Sequence, residues 1–238
     1  MISIITATYN SQNIIQDLIT CLSNQTDNRF EWIVIDGNSN DDTVKLLKTV
    51  KNINITFISE NDNGIYDAIN KGIKLANYNY YLVCGSDDYL YSNTIENLNN
   101  LINSNVLFDI YATSFQMNNK IHYPKKHTSW LYGMRGMSSC HSVALLINKG
   151  LHKKYGFYNL LYPIFADQLF VQNAVFQGST ILHCSNIISG IYSTNGMSSK
   201  DSLNKLNEFF KMQINSNHNY FIQYLLYRIR RLKFKIKF

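Results

Sequence analysis

The stretch Tyr80-Tyr81-Leu82-Val83-Cys84-Gly85-Ser86-Asp87-Asp88 decides how the chain is read, because an apolar run with strand character ends at once on two adjacent carboxylates. Neighbouring like charges repel, so the pair needs a reason. One reason is a solvated turn, where Asp is common after strands. The other is a divalent cation that offsets the repulsion, and hard oxygen ligands with open positions suit Mg2+ or Mn2+.

Working upstream, the β-rich runs Ser3 to Thr6, Glu31 to Ile35 and Ile55 to Ser59 alternate with segments of helical period. Ile14, Ile15, Leu18, Ile19 and Leu22 follow a candidate cap at Ser11, and Val44, Leu47 and Val50 follow Asp41 or Asp42. Ile65, Ala68, Ile69, Ile73 and Ala76 make a third apolar face. The alternation predicts an α/β fold with a parallel sheet and crossover helices. GxGxxG is absent, so there is no dinucleotide fingerprint. Ligands in such sheets lie beyond the carboxyl ends of the strands, where strand order reverses. Asp36, closing Ile33-Val34-Ile35-Asp36-Gly37, and the acids after Gly85 are therefore expected to face one crevice.

Downstream of Leu90 the pattern predicts a helix from Thr94 to Asn103, strands near Leu107 to Phe115 and Val143 to Ile147, and a helix around Asp167 to Phe176. Strands near Thr180 to His183 and Ile187 to Tyr192 follow.

A length of 238 residues is enough to bury a sizeable core in one large domain with a short appendage. No run approaches the roughly 18 uninterrupted apolar residues of a membrane span. Met1-Ile2-Ser3-Ile4-Ile5 lacks the basic region of a signal peptide and reads as a first strand. Cys21, Cys84, Cys140 and Cys184 are dispersed, which argues against both a disulfide framework and a zinc site and points to a reducing cytoplasm. The net charge of +6 resides in Arg228, Arg230, Arg231, Lys233, Lys235 and Lys237, leaving the rest of the chain neutral.

Four separated motifs occur in order: Thr8-Tyr9-Asn10, Val34-Ile35-Asp36-Gly37-Asn38-Ser39, Asp62-Asn63-Gly64-Ile65-Tyr66-Asp67-Ala68-Ile69-Asn70-Lys71-Gly72, and Gly85-Ser86-Asp87-Asp88. Together they resemble the family 2 glycosyltransferases of the GT-A fold, in particular bacterial members that build surface polysaccharides. The resemblance covers most of the chain, strongly to Leu90 and more loosely to Ser198. It implies a mixed, mostly parallel sheet flanked by helices and a nucleotide-sugar donor, a UDP-sugar. It also implies inverting transfer to a hydroxyl of a glycan or glycolipid acceptor, the last held on a lipid carrier. A nucleotide-sugar-binding half is expected over 1–92 and an acceptor-side half over 93–200, followed by a C-terminal helical tail over 201–238.

Carried over residue by residue, Thr8, Tyr9, Asn10 and Asp36 fall at donor-nucleotide positions, and Ser86, Asp87 and Asp88 in the ribose and metal segment. Asp87 is the expected primary ligand of Mn2+ or Mg2+, with Asp88 a second ligand or the residue that orients the first. Asp62, Asp67 and Lys71 belong to the third motif; Asp67 either bonds sugar or ribose hydroxyls or is a first-turn acid favoured by the helix dipole. Ser139-Cys140-His141-Ser142 and Ile164-Phe165-Ala166-Asp167-Gln168-Leu169-Phe170 resemble the acceptor side of the family. His141 is then a donor near the pyrophosphate or a structural His, and Asp167 the general base or a helix N-cap. Asn195-Gly196-Met197-Ser198 resembles a late glycine loop or is a plain turn. The chain departs from many members at Gly37, Ile69 and Gly85, where those carry an acid, an Arg and an acid.

From Tyr220 onward, Phe221, Ile222, Leu225, Leu226, Ile229 and Leu232 recur on a helical face among the basic residues. A basic amphipathic helix of this kind, Tyr220 to Phe238, reads as a contact with the inner face of the plasma membrane, or as a face packed on the domain or on a second subunit of a dimer. Nucleic acid fits poorly, because the body has no basic patch. Two other classes are a catalytically silent sugar-nucleotide-binding module and a receiver-type signalling domain; this chain is longer than the latter needs and orders its acids differently.

Overall fold

The computed structural model describes residues 1–126, 128–138, 141–193 and 203–236. In chain order the elements are β1 (Ile2–Thr8), α1 (Ile15–Ser23), β2 (Phe30–Asp36), α2 (Thr43–Leu47), β3 (Ile55–Ser59), α3 (Ile65–Leu75), β4 (Tyr80–Val83), β5 (Tyr89–Leu90) and α4 (Thr94–Ile102). There follow β6 (Ile110–Met117), β7 (Lys120–His122), α5 (Ser129–Tyr132), β8 (Leu145–Asn148), α6 (Leu151–Tyr155), α7 (Ala166–Phe176), β9 (Ile181–Ile191), α8 (Leu203–Asn215) and α9 (Tyr220–Ile236).

The strands form one sheet in the order β3-β2-β1-β4-β8-β6-β9-β5, with β7 beside β6. β1 to β4 run parallel, β8 is antiparallel to both β4 and β6, and β9 runs parallel to β6. The expected mixed, mostly parallel α/β sheet is what the chain builds. Every residue of β2 is buried, as a parallel strand covered on both faces requires.

Side chains alternate between two cores. Ile5, Ile33, Ile35 and Tyr81 meet Tyr66, Ile69 and Ile73 of α3 and Leu169 and Phe170 of α7. On the other face Ile4, Trp32, Val34 and Leu82 meet Leu18 and Leu22 of α1 and Ile95 and Leu98 of α4. Each fully buried Ile or Leu contributes about 1.5–3 kcal/mol. Gly72 lets α3 seat directly on β1, since a Cβ there would stand 2.5 Å from Ile5 Cγ2.

Strand order runs away from β1 in both directions, to β2 on one side and β4 on the other, so the crevice opens beyond Thr8 and Val83. A buried relay fixes that opening. Trp32 Nε1 donates to Thr6 Oγ1 at 3.0 Å, and Thr6 Oγ1 donates to the Cys84 carbonyl at 2.9 Å.

The structure differs from the sequence reading in local detail. Ser11 does not cap α1 through its side chain; its carbonyl accepts from Ile14 and Ile15, while its hydroxyl turns toward Ser86. The two strands expected between Thr180 and Tyr192 are one strand, β9, whose register against β6 shifts after Thr113. β6 begins at Ile110 rather than Leu107, because Asp109 turns back to accept from Thr180 N and Oγ1.

Candidate active site

The loop after β4 holds its two acids differently. Asp88 is almost fully buried, with Gly85 N donating to Oδ2 at 3.0 Å and Ser193 N donating to Oδ1 at 3.1 Å. Burial pushes its pKa up to about 6. Asp87 is half-buried, and its carboxyl is raised first by desolvation and then by the charge of Asp88. A Cβ on Gly85 would lie 3.0 Å from both Asp87 Oδ1 and Asp88 Oδ2, so the two carboxylates converge on one side of that glycine.

This donor set fits a hard divalent cation. Two oxygen ligands leave open positions for phosphate and water, as Mg2+ and Mn2+ prefer, and mutual repulsion is what a cation would relieve. Among the described residues no group of three or more His, Cys, Asp and Glu gathers into a closed metal cage.

His141 stands near Asp87, tilted against Tyr192 with ring centroids 3.7 Å apart. Its Nδ1 accepts from Val143 N at 3.3 Å, which leaves the proton of the neutral ring on Nε2. Enclosure drives its pKa down to about 3, so the imidazole is neutral and can donate one hydrogen bond. Ser139, Cys140 and the Asn195 to Ser198 loop lie outside the described residues.

The loops after β1 and β2 are stitched together. Asn10, at φ 49°, donates its N–H to Ser39 Oγ at 2.8 Å and accepts from Asn40 N at 2.9 Å. Asp36, expected to face the crevice, is instead 0% exposed and accepts from Ser39 N, Ser39 Oγ and Ser59 Oγ. Its carboxylate shapes the 37–39 turn rather than opening onto it. Tyr9 is 59% exposed at the mouth, and Thr8 Oγ1 is a buried hydroxyl without a hydrogen-bond partner among the described residues. Ser86 joins this group through a 3.2 Å contact with Ser11 Oγ.

In the third motif Gly64 adopts φ 104°, a conformation glycine reaches without strain, and turns the chain into α3. Asp62 accepts from Gly64 N at 2.8 Å with one oxygen, while the other lies 2.8 Å from where a Cβ on Gly37 would stand. A side chain at position 37 would make the Asp62 carboxylate shift. Asp67 accepts from Asn63 N at 3.0 Å, and Lys71 is paired with Glu60 at 2.8 Å and Asp67 at 3.6 Å while donating to the Asn61 carbonyl. Both residues hold the 60–67 loop.

Asp167 stands in the first turn of α7, one residue beyond Ala166, and Phe165 is the N-cap. The N-cap alternative for Asp167 therefore does not hold. Its Oδ1 accepts from Tyr66 Oη and from its neighbour Gln168 N, both at 2.8 Å. Burial raises its pKa, opposed by the Tyr66 hydrogen bond. A narrow pocket beside it is lined by Val83, Ser142, Leu145, Ile147, Tyr158 and Asp167.

These contacts form a ring. Ser86 touches Ser11, Asn10 bonds Ser39, Gly37 adjoins Asp62, and Tyr66 of the same motif bonds Asp167. The pocket wall includes Val83, at the end of the strand that leads to Asp87, and Ser142, the chain neighbour of His141, whose ring acts electrostatically on Asp87.

Sequence reasoning quoted Tyr66 within its motif yet gave it no role. It also passed over Glu208, whose Oε1 accepts from Ile164 N and Phe165 N at 2.7 Å and so holds the start of the Asp167 helix from α8. A third omission is the buried relay below the pocket. His152 Nδ1 donates to the Gly156 carbonyl, so Tyr81 Oη donates to Nε2 at 2.7 Å and Tyr158 Oη donates to Tyr81 at 2.8 Å. Only the position of Tyr66 two residues after Gly64 offered a local signal; the others are long-range contacts.

A sequence profile described as Glycosyl transferase family 2 matches residues 3–165. A PGL/p-HBAD biosynthesis glycosyltransferase of Mycobacterium tuberculosis is 28% identical over 179 residues, 70% of this chain and 66% of that protein. The UDP-Glc:alpha-D-GlcNAc-diphosphoundecaprenol beta-1,3-glucosyltransferase WfaP of Escherichia coli is 29% identical over 116 residues, 48% of this chain and 46% of that one. The chain thus spans about two thirds of the length of the first relative and under half of the second. Among solved structures, Staphylococcus aureus TarS 1–349 in complex with UDP superposes with a TM-score of 0.67 at 18% identity, covering 95% of this chain and 69% of that one. At that identity the likeness speaks for the fold. With the profile spanning more than half of its length, the chain belongs to glycosyl transferase family 2.

Proposed function

We propose that the protein is an inverting, metal-dependent glycosyltransferase that moves a sugar from a UDP-sugar to a hydroxyl of a lipid-linked glycan in surface polysaccharide synthesis. The observation that carries this reading is the pocket that Asp167, held by Tyr66, shares with Val83, at the end of the strand leading to Asp87, and with Ser142, next to His141. Support for the donor comes from TarS, whose structure is a complex with UDP, and for both donor and acceptor from WfaP, whose name contains UDP-Glc and diphosphoundecaprenol.

In this reading Asp87 would hold Mn2+ or Mg2+, with Asp88, whose two oxygens each accept one backbone N–H, beside it as second ligand or orienting acid. When bound, the cation neutralises the charge that develops on the departing diphosphate. Thr8 Oγ1, buried and unpartnered, is the kind of polar atom that a nucleotide hydroxyl or carbonyl would satisfy. Tyr9 offers an exposed ring at the mouth for the base. Asp36, Asn10, Asp62, Asp67 and Lys71 act one step away, by holding the loops that surround the nucleotide.

His141 Nε2–H donates toward the same charge, and being neutral it needs no proton from solvent to do so. Asp167 accepts the proton of the attacking acceptor hydroxyl. Its dry surroundings make it a stronger base than a solvated carboxylate, and Tyr66 fixes the oxygen that is not receiving the proton. Attack from the side opposite the leaving diphosphate inverts the anomeric centre.

The test is release of UDP from a panel of UDP-sugars with Mn2+ and a lipid-linked acceptor. Release that requires Mn2+, Asp87 and Asp167, with an inverted product by NMR, is expected. Sugar transfer that survives Asp87→Asn, or that retains anomeric configuration, overturns the reading.

A further inference from the structure

α9 turns a mixed face toward the body, where Tyr227 packs on Phe210 of α8, and leaves much of its apolar surface outside. The side chains it turns toward the body include Gln223, which is 1% exposed and donates to the Trp130 carbonyl at 2.6 Å, and Arg230, which donates to the Leu131 carbonyl and lies 4.8 Å above the ring of Phe209. Outward it presents Phe221, Leu225, Ile229 and Leu232, spaced three and four residues apart, with Phe221 79% and Leu225 61% exposed. An amphipathic helix on a globular protein ordinarily turns such a stripe to the core.

α5 is the element that α9 grips. α5 is a single turn whose orphan carbonyls need donors. Gln213 of α8 and Gln223 and Arg230 of α9 supply them, donating to Ser129, Trp130 and Leu131. Tied down through its backbone, α5 leaves the rings of Trp130 and Tyr132 about half-exposed beside α9.

Charge selects the occupant. Arg228, Arg231 and Lys233 are exposed on α9, Lys125 and Lys126 on the approach to α5, and no acidic residue occurs after Glu208. A second copy of this chain would set these cations against each other. An apolar stripe rimmed by cations and flanked by Trp and Tyr matches the boundary layer of an anionic bilayer, where aromatic rings sit at headgroup level and basic side chains meet phosphate.

We propose that the outward stripe of α9 and the rings of Trp130 and Tyr132 form one docking face for an anionic phospholipid bilayer. Phe221 and Leu225 enter the acyl boundary, and Arg228, Arg231 and Lys233 contact the headgroups. The proposal stands apart from sugar transfer, since it needs neither Asp87 nor Asp167.

Flotation of the full chain with vesicles of phosphatidylglycerol and phosphatidylcholine, against phosphatidylcholine alone, tests it. Binding to the anionic vesicles is expected, falling about fivefold for each of Arg228→Ala and Arg231→Ala. The paired change Phe221→Glu and Leu225→Glu, on exposed positions, should lower it by about tenfold or more with the thermal midpoint unchanged. Trp130→Ala should weaken it too, linking α5 to the same face. Wild-type protein that ignores anionic vesicles, or binds equally well after the paired change, overturns the proposal. So does sedimentation showing a dimer that the paired change splits while neither form floats.

Discussion

The two sides of the crevice are built on different principles. On the β1 to β4 side most polar residues are held by neighbours in their own or the adjacent strand-end loop, as Asp36 is by Ser39 and Ser59, and Asp67 by Asn63 and Lys71, although Asp88 also accepts from the distant Ser193 N. On the α7 side Asp167 depends on groups far along the chain: Tyr66, 101 positions away, bonds its carboxylate, and Glu208 holds the turn before it. The first side is preformed by local geometry and the second by tertiary packing. Changes on the first should therefore act on donor binding, and changes on the second on turnover and on stability.

In the proposed reaction the largest effect should come from Asp167 and the acids of the 85–88 loop. Asp167→Asn keeps the shape but removes the base, and turnover should drop about 10²- to 10⁴-fold in a transfer assay. Asp88→Asn, which still accepts from Gly85 N but loses charge beside Asp87, should weaken Mn2+ about 10- to 100-fold by titration in the presence of UDP.

Next comes pH. Asp88 has its pKa raised to about 6 and Asp87 is raised as well, and both must be deprotonated to bind a cation. Mn2+ affinity should thus climb as pH rises from the ordinary carboxylate range through about 6, and flatten above it. The linkage to stability has the opposite sign without metal. A carboxyl raised in the folded state favours folding when protonated, so metal-free protein should lose stability as pH rises through about 6, and Mn2+ with UDP should restore it. A thermal midpoint that is flat with pH and indifferent to Mn2+ would separate Asp87 and Asp88 from metal binding.

Smaller effects sharpen the contrast between the two sides. Glu208→Ala leaves Ile164 N and Phe165 N without an acceptor, which should cost about 1–3 kcal/mol in urea unfolding while UDP binding stays intact. Tyr66→Phe removes the hydrogen bond that lowers the Asp167 pKa. The acid limb of kcat/KM should then move to higher pH, with donor affinity nearly unchanged, whereas a purely structural role for the hydroxyl would leave that limb in place.

Much of the first side was legible in the sequence because it is local. Strand period and the placement of Asp36 and of the Gly85-Ser86-Asp87-Asp88 loop at strand ends follow from residues within a few positions of each other. What local pattern could not supply was direction. Asp36 sits at the expected strand end yet faces inward, because Ser39 and Ser59 satisfy it there. The same applies to α9, whose apolar spacing is plain but whose Phe221, Leu225, Ile229 and Leu232 turn outward while Gln223 and Arg230 donate to backbone carbonyls of α5. Tyr158, Tyr81 and His152 form a single buried relay that no spacing rule links, since their partners come from three separate elements.

The central claim is that Asp87 and Asp167 serve one reaction from opposite sides of the crevice, and the most direct measurement separates donor binding from transfer in the same two variants. Calorimetric titration of UDP with Mn2+, paired with single-turnover transfer, should show Asp167→Asn binding within about twofold of the unaltered protein while transfer collapses, and Asp87→Asn losing both. Normal transfer by Asp167→Asn, or full Mn2+-dependent UDP binding by Asp87→Asn, would contradict it.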